Sequence, residues 1–193
     1  MVKWNKAVRT AQTYFRSPNF KNSYASRQSE AKQIVKALRV PEFDFDRNGW
    51  IDFYSIRSLG HLDERQRDKV WKQQKRLKDA LRAVVTDGEN VLPQVVDRGG
   101  KLHVGGVGMN TVSNILAAIS PDEWPVYNSR VAYSLTRFGY QSPRGAGVAG
   151  KYLAYRNAMR KFVDACQSKG YAKIDALALD AFFYEQSKLS KTL

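Results

Sequence analysis

Glycines at 105, 106 and 108 crowd the segment VGGVGMNTVSNIL, directly ahead of apolar residues Val112, Ile115, Leu116 and Ile119 at helical spacing. Glycine permits a tight bend without Cβ clashes. At a helix start such a bend leaves main-chain N–H groups pointing outward, here those of Gly106, Gly108, Met109 and Asn110, where the helix dipole favours an anion. The chemistry on offer is phosphate binding. Thr111 lies in the same first turn and Lys101 flanks the bend. No strand–helix–strand repeat surrounds these glycines, so a Rossmann site is excluded.

A second set lies twenty residues on, where the Pro-bearing linker SPDEWPV leads into Tyr127-Asn128-Ser129-Arg130-Val131 and a further helix. Asn128 stands where an N-cap belongs. Trp124, Tyr127 and Tyr140 supply rings nearby, and Arg130, Arg144 and Lys151 are candidate phosphate contacts. As plain structure, the rings would be core residues and the cations a solvated surface.

FDFDRNGWID has the outline of a calcium loop, with Asp44, Asp46, Asn48, Gly49 and Asp52 at positions 1, 3, 5, 6 and 9. The closing glutamate is missing, because Ser55 occupies position 12. An Asx-Gly turn followed by Asp52 as an N-cap is the competing expectation. Cys166 falls among the apolar positions of a helical pattern and reads as a buried, inert thiol. His61 and His103 have no partner constellation. With one cysteine and two histidines, neither a zinc finger nor an iron–sulfur cluster can be built, and neither metal nor cofactor is expected.

The elements that must position these residues are helical. Apolar spacing predicts helices over 29–40, ended by Pro41, and over 63–85, 129–138, 152–169 and 174–186, with an apolar turn at 53–59 and a short apolar run at 91–96. The loop QSPRGAGVAG separates the helices at 129–138 and 152–169. No β alternation is present, so the class is all-α. Residues 1–29 hold six basic side chains, no acid, and interleaved aromatics. A transit peptide shares the charge pattern, whereas the aromatics are material for a core.

The 193 residues, 43% hydrophobic, suffice for one domain of ordinary size or two small lobes on a shared core. No apolar run approaches the ~20 residues that span a bilayer, so a soluble, cytoplasmic protein with no membrane partner is expected. The formal charge is +14. Residues 1–85 contribute 19 basic and 9 acidic side chains, residues 86–193 contribute 13 and 9. A polyanion is the natural partner. Eight cations lie between Arg65 and Arg82, interrupted only by Asp68 and Asp79, too few to lace that face with ion pairs.

The order of hairpin glycines, helix, Pro-bearing linker and helix resembles the helix-hairpin-helix base-excision DNA glycosylase superfamily, which includes the endonuclease III-like enzymes. Its hairpin reads L-P-G-V-G-x-K-T-A, matched by Gly106-Val107-Gly108-Met109-Asn110-Thr111-Val112. Its V-D-T-H-V falls on Tyr127 to Val131. The resemblance covers mainly residues 101–140, with the motif and following loop at about 91–140, and implies a two-lobed, all-α, monomeric domain over 1–193 that binds double-stranded DNA. It implies backbone contacts from Lys101, Gly106, Gly108, Met109, Thr111, Arg130, Arg144 and Lys151, and a base pocket walled by Trp124, Tyr127 and Tyr140.

Two departures bear on activity. The family's lyase lysine falls on Asn110, which has no amine to attack C1′, so a lysine-dependent lyase is not expected. The family's aspartate falls on Asn128, which bears no charge to stabilise an oxocarbenium-like sugar. Asn128 fits three accounts: a binding protein that has lost the chemistry, a hydrolase using Asp122 or Glu123 instead, or an Asp-to-Asn change. The expected function is recognition, or N-glycosidic hydrolysis, of a damaged or modified base. Non-catalytic helix-hairpin-helix binding of nucleic acid is the alternative, ahead of a calcium-responsive interaction protein.

Overall fold

The computed structural model describes residues 4–56, 64–171 and 174–189, and every regular element among them is helical. In chain order these are α1 (Trp4–Phe15), α2 (Pro18–Leu38), α3 (Arg47–Tyr54), α4 (Glu64–Trp71), α5 (Gln74–Asp87), α6 (Leu92–Val96), α7 (Met109–Ile119), α8 (Ser129–Thr136), α9 (Val148–Gln167) and α10 (Ala176–Leu189), with a 3-10 turn at Gly88–Asn90. The all-α expectation holds. No helix of the described residues is long and apolar enough to cross a membrane.

The longest helix, α2, packs on α1, α3, α7 and α10. It starts eleven residues earlier than the apolar pattern predicts, because Ser17 caps it by accepting from the Phe20 amide and Pro18 occupies its first turn. Its early positions bury aromatic edges, with Phe20 stacked on Tyr24. An aliphatic stripe is therefore absent where the helix begins.

The predicted 63–85 helix is two helices, with a break at Lys72 and Gln73 that no glycine or proline marks. The break aims two apolar sets at different neighbours: Val70 from α4 against the bend at Gly106, and Leu77, Ala80, Leu81 and Val84 from α5 into the core. His61 lies outside the described residues, as do positions 57–59 of the predicted apolar turn, while Phe53 and Tyr54 close α3.

The calcium-loop segment folds otherwise. Asp46, not Asp52, caps α3, its Oδ1 accepting from the Gly49 amide at 2.9 Å. That bond holds the Asp46 carboxyl below the ordinary range. Positions 47–54 are helical, so the loop that would wrap a cation does not exist, and Asp44 and Asp46 face the Arg39 guanidinium at 3.9 and 4.0 Å.

Most of the interior is one cluster running from Ala7 to Phe183. A satellite of Ala31, Ala117, Val126, Ala176 and Leu177 seals the junction of α2, α7 and α10. The buried helix α7 thus holds the glycine bend at its start against a rigid base.

Candidate nucleic-acid interface

The bend is a turn closed by the Val107 amide donating to the Val104 carbonyl at 3.0 Å. Gly106, at φ +99°, takes the position that demands a positive φ. Val104 and Val107 are buried and fix the turn from inside, whereas Gly105, Gly106 and Gly108 are exposed. A Cβ on Gly106 would stand 2.8 Å from Val70 Cγ2, so α4 abuts the bend.

Gly108 is the N-cap of α7 in extended conformation, with no side chain to cap it. The first bond of the helix runs from the Val112 amide to the Gly108 carbonyl, so the amides of Met109, Asn110 and Thr111 have no acceptor within α7. The side chains of Met109 and Thr111 are buried. These two residues can therefore meet a ligand only through the main chain.

Asn110 is drawn into the helix's own polar seam. Asn114 Nδ2 donates to its carbonyl at 2.8 Å and to its Oδ1 at 3.1 Å, and Ser113 Oγ donates to the same carbonyl at 3.1 Å. Ser113 Oγ in turn accepts from the Tyr127 amide at 2.9 Å. The hairpin helix and the segment leading to Asn128 are thereby joined.

Asn128 does cap α8, its Oδ1 accepting from the Val131 amide at 2.9 Å, and its Nδ2 donates to Asp180 Oδ1 at 3.3 Å. Asp180 is buried on α10 and its other oxygen takes Arg27 Nε at 2.7 Å; Arg27 also pairs with Glu30 at 3.0 Å. Burial alone would lower the Arg27 guanidinium, but the charges of Asp180 and Glu30 outweigh it and hold it above its ordinary value. Both ends of the Asn128 amide are committed to structure. A neighbouring seam repeats the pattern: Asp175 caps α10 at the Ala178 amide and accepts from the Tyr24 hydroxyl at 2.6 Å.

The three aromatic candidates form one packed group. Trp124 stacks on Tyr152, and Tyr127 meets Tyr152 and Tyr155 edge-on. Tyr140 meets Tyr155 edge-on. Trp124 and Tyr140 are buried and Tyr127 is half-buried. The Arg156 guanidinium lies 3.8 Å from the centre of the Trp124 ring, while donating to the Glu123 carbonyl at 3.0 Å and pairing with Glu89 at 2.8 Å. Tyr152 and Tyr155 donate to the Pro125 and Val126 carbonyls. Burial raises the phenols of Tyr127, Tyr140, Tyr152 and Tyr155 above the tyrosine range, and of these Tyr152 and Tyr155 act as donors.

Lys101 and Arg144 are exposed and Lys151 is half-exposed; the side chain of Arg130 lies outside the described residues. A carboxylate unflagged by any motif ties the segment before the bend to the start of α9. Asp97, between α6 and the bend, reaches the start of α9, where its Oδ1 accepts from the Ala149 amide at 3.1 Å. The His103 ring is held by Nδ1 donating to the Val95 carbonyl, a structural fastening. Cys166 is fully buried, which pushes its thiol up to about 11.

The two alternative carboxylates lie elsewhere. Asp122 and Glu123 follow the far end of α7, whose 11 residues measure about 16 Å. They line a cavity of about 330 Å³ together with Arg160 and Asp164. A second, of about 340 Å³, is edged by Asp87, Glu89 and Glu123. Asn128 lines neither. The end of α7 with open amides lies beside α4, and the opposite end is edged by acids together with Arg156 and Arg160.

The residues that motif analysis misses, Asp97, Asp180, Tyr152, Tyr155 and Arg156, differ in how they could be found. The last three recur at intervals of three and one along α9, a spacing that marks one helix face. The two aspartates act across 52 positions of sequence, and no local pattern reveals them. The chain matches no protein-family model, no curated protein and no solved structure.

Proposed function

We propose that this protein binds the sugar–phosphate backbone of duplex DNA, seating a phosphate on the open amides at the start of α7. The observation that carries this is the exposed Gly105–Gly108 bend, held from inside by Val104 and Val107 and opening onto a helix with no side-chain cap. Nearby lysines and arginines add charge that is indifferent to sequence, as expected of a backbone reader. The likeness to the helix-hairpin-helix glycosylases, with their two-lobed monomeric domain, belongs to this same proposal.

Within it, binding without base excision is the better-supported form. Asn128 is spent on capping α8 and on Asp180, and Asp180 is neutralised by Arg27. Neither supplies a free carboxylate for activating water. Trp124, Tyr127 and Tyr140 serve as packing in this form, their faces and edges engaged by Tyr152, Tyr155 and Arg156.

The test is titration of a short labelled duplex over a salt series. The logarithm of the affinity should fall steeply with the logarithm of salt, by about 0.9 per phosphate neutralised. A flat response rejects the proposal. Incubation with duplexes bearing varied damaged bases, followed by alkali, should yield no strand cleavage, and cleavage would restore hydrolysis.

A further inference from the structure

The cations of α4 and α5 are not equivalent once their partners are known. Asp68 is shared by Arg47 at 3.5 Å and Arg67 at 3.7 Å, and Asp79 is taken by Arg82 at 3.3 Å. Arg82 is further tied to the Glu42 and Phe43 carbonyls. Lys78 lies over the rings of Phe45 and Trp71 at 5.2 and 6.0 Å. Between Arg65 and Arg82 both acids, Asp68 and Asp79, are therefore engaged, as are the cations Arg67, Lys78 and Arg82.

Arg65 is engaged as well, and Lys69, Lys72, Lys75 and Arg76 remain. All four are exposed, and none forms an ion pair among the described residues. They bracket the α4–α5 break. Their place is set by Val70, the residue after Lys69, which is fully buried and touches the turn at Gly106. Lys69 thus adjoins the residue that touches the glycine bend, and Lys72, Lys75 and Arg76 follow within six positions of Val70.

We propose that Lys69, Lys72, Lys75 and Arg76 form a second phosphate-binding ridge beside the bend, so that one duplex rests on both. This rests on the function proposed above and extends it to a surface that no hairpin motif includes. Two helical turns rise about 10 Å, against 3.4 Å of axial rise per phosphate on one strand. The ridge is long enough for about three phosphates.

The experiment compares the intact protein, the variant K69Q/K72Q/K75Q/R76Q, and a control, R160Q/K161Q/K169Q, altered at exposed cations near the far end of α9. Each binds a labelled 20-base-pair duplex across a salt series, after circular dichroism has shown the same helix content. The ridge variant should have a log–log slope shallower by about 2 to 3, and the control a slope within about 1 of the intact protein. Equal slopes for ridge variant and intact protein, or equal losses for ridge variant and control, overturn the ridge but leave the bend. A flat slope for the intact protein overturns both. As a measurement free of substitutions, acetylation of Lys72 and Lys75 should be slowed by bound duplex, and unchanged acetylation counts against the ridge. Equal affinity for a single strand or for duplex RNA overturns the assignment of duplex DNA.

Discussion

Asn128 and Asp180, 52 positions apart, are joined by a hydrogen bond of 3.3 Å in which the amide donates and the carboxylate accepts. The pairing requires an amide at 128, since a carboxylate there would face another. Asn128→Asp keeps an acceptor for the Val131 amide but sets two negative charges together. It should destabilise the fold by about 1–3 kcal/mol at neutral pH. One carboxyl of the pair must then titrate above its unfolded value of about 3.9, so the penalty appears as pH rises through that region and fades in acid. Thermal unfolding at pH 4 and pH 7 checks this, and a variant as stable as the parent at both would contradict it. Base-excision assays on the variant should remain blank.

Gly108→Asp separates folding from binding. A Cβ at 108 meets nothing within 4 Å and the backbone there is extended, so aspartate fits. Its carboxylate would cap α7 and favour the helix dipole, adding about 0.3–1 kcal/mol of stability. The same charge occupies the place proposed for phosphate. Melting temperature should rise while duplex affinity falls by tenfold or more. A stabilised variant with unchanged affinity would remove α7 from the interface.

Arg156→Met tests the aromatic group. The substitution keeps length and apolar contact while deleting the cation over Trp124 and the pair with Glu89. Because Glu89 is largely exposed and can return to water, the loss should be about 1–3 kcal/mol, not that of a fully buried pair. The Trp124 emission should shift, and chemical denaturation would read the stability. Duplex binding should survive, since Arg156 is turned toward the acid end of α7.

Tyr24 gives the fold an alkaline sensitivity. Burial, and then its hydrogen bond to Asp175, push the phenol up to about 12 from an ordinary value of 10.0. A group with a raised folded value stabilises fully below the unfolded value, and loses that contribution as pH rises through the folded one. Stability should therefore fall between about pH 10 and 12, and Tyr24→Phe should flatten part of that fall. Ultraviolet titration of the phenolate alongside thermal melts would show it; identical alkaline profiles would refute it.

The helical class, the position of the α7 start and the capping role of Asn128 are all legible in the amino-acid order, because glycine, Asx and apolar spacing act over a few residues. The start of α2 is legible only through Ser17-Pro18, since aromatic packing there replaces the aliphatic stripe. The break between α4 and α5 has no local mark, being imposed by the different neighbours of Val70 and Leu77. The apparent calcium loop misleads for a related reason: Asp46 begins a helix, and acids that spell a loop on paper become a cap and a helical surface. Asp97 and Asp180 depend on the completed fold.

The unequal ends of α7 have a consequence before any contact is made. Its beginning offers open amides, whereas Asp87, Glu89, Asp122 and Glu123 lie beyond its finish, so on the proposed function a polyanion is drawn to one end of this helix and not to the other. A long polyanion, the partner proposed above, would then be met preferentially bend-first.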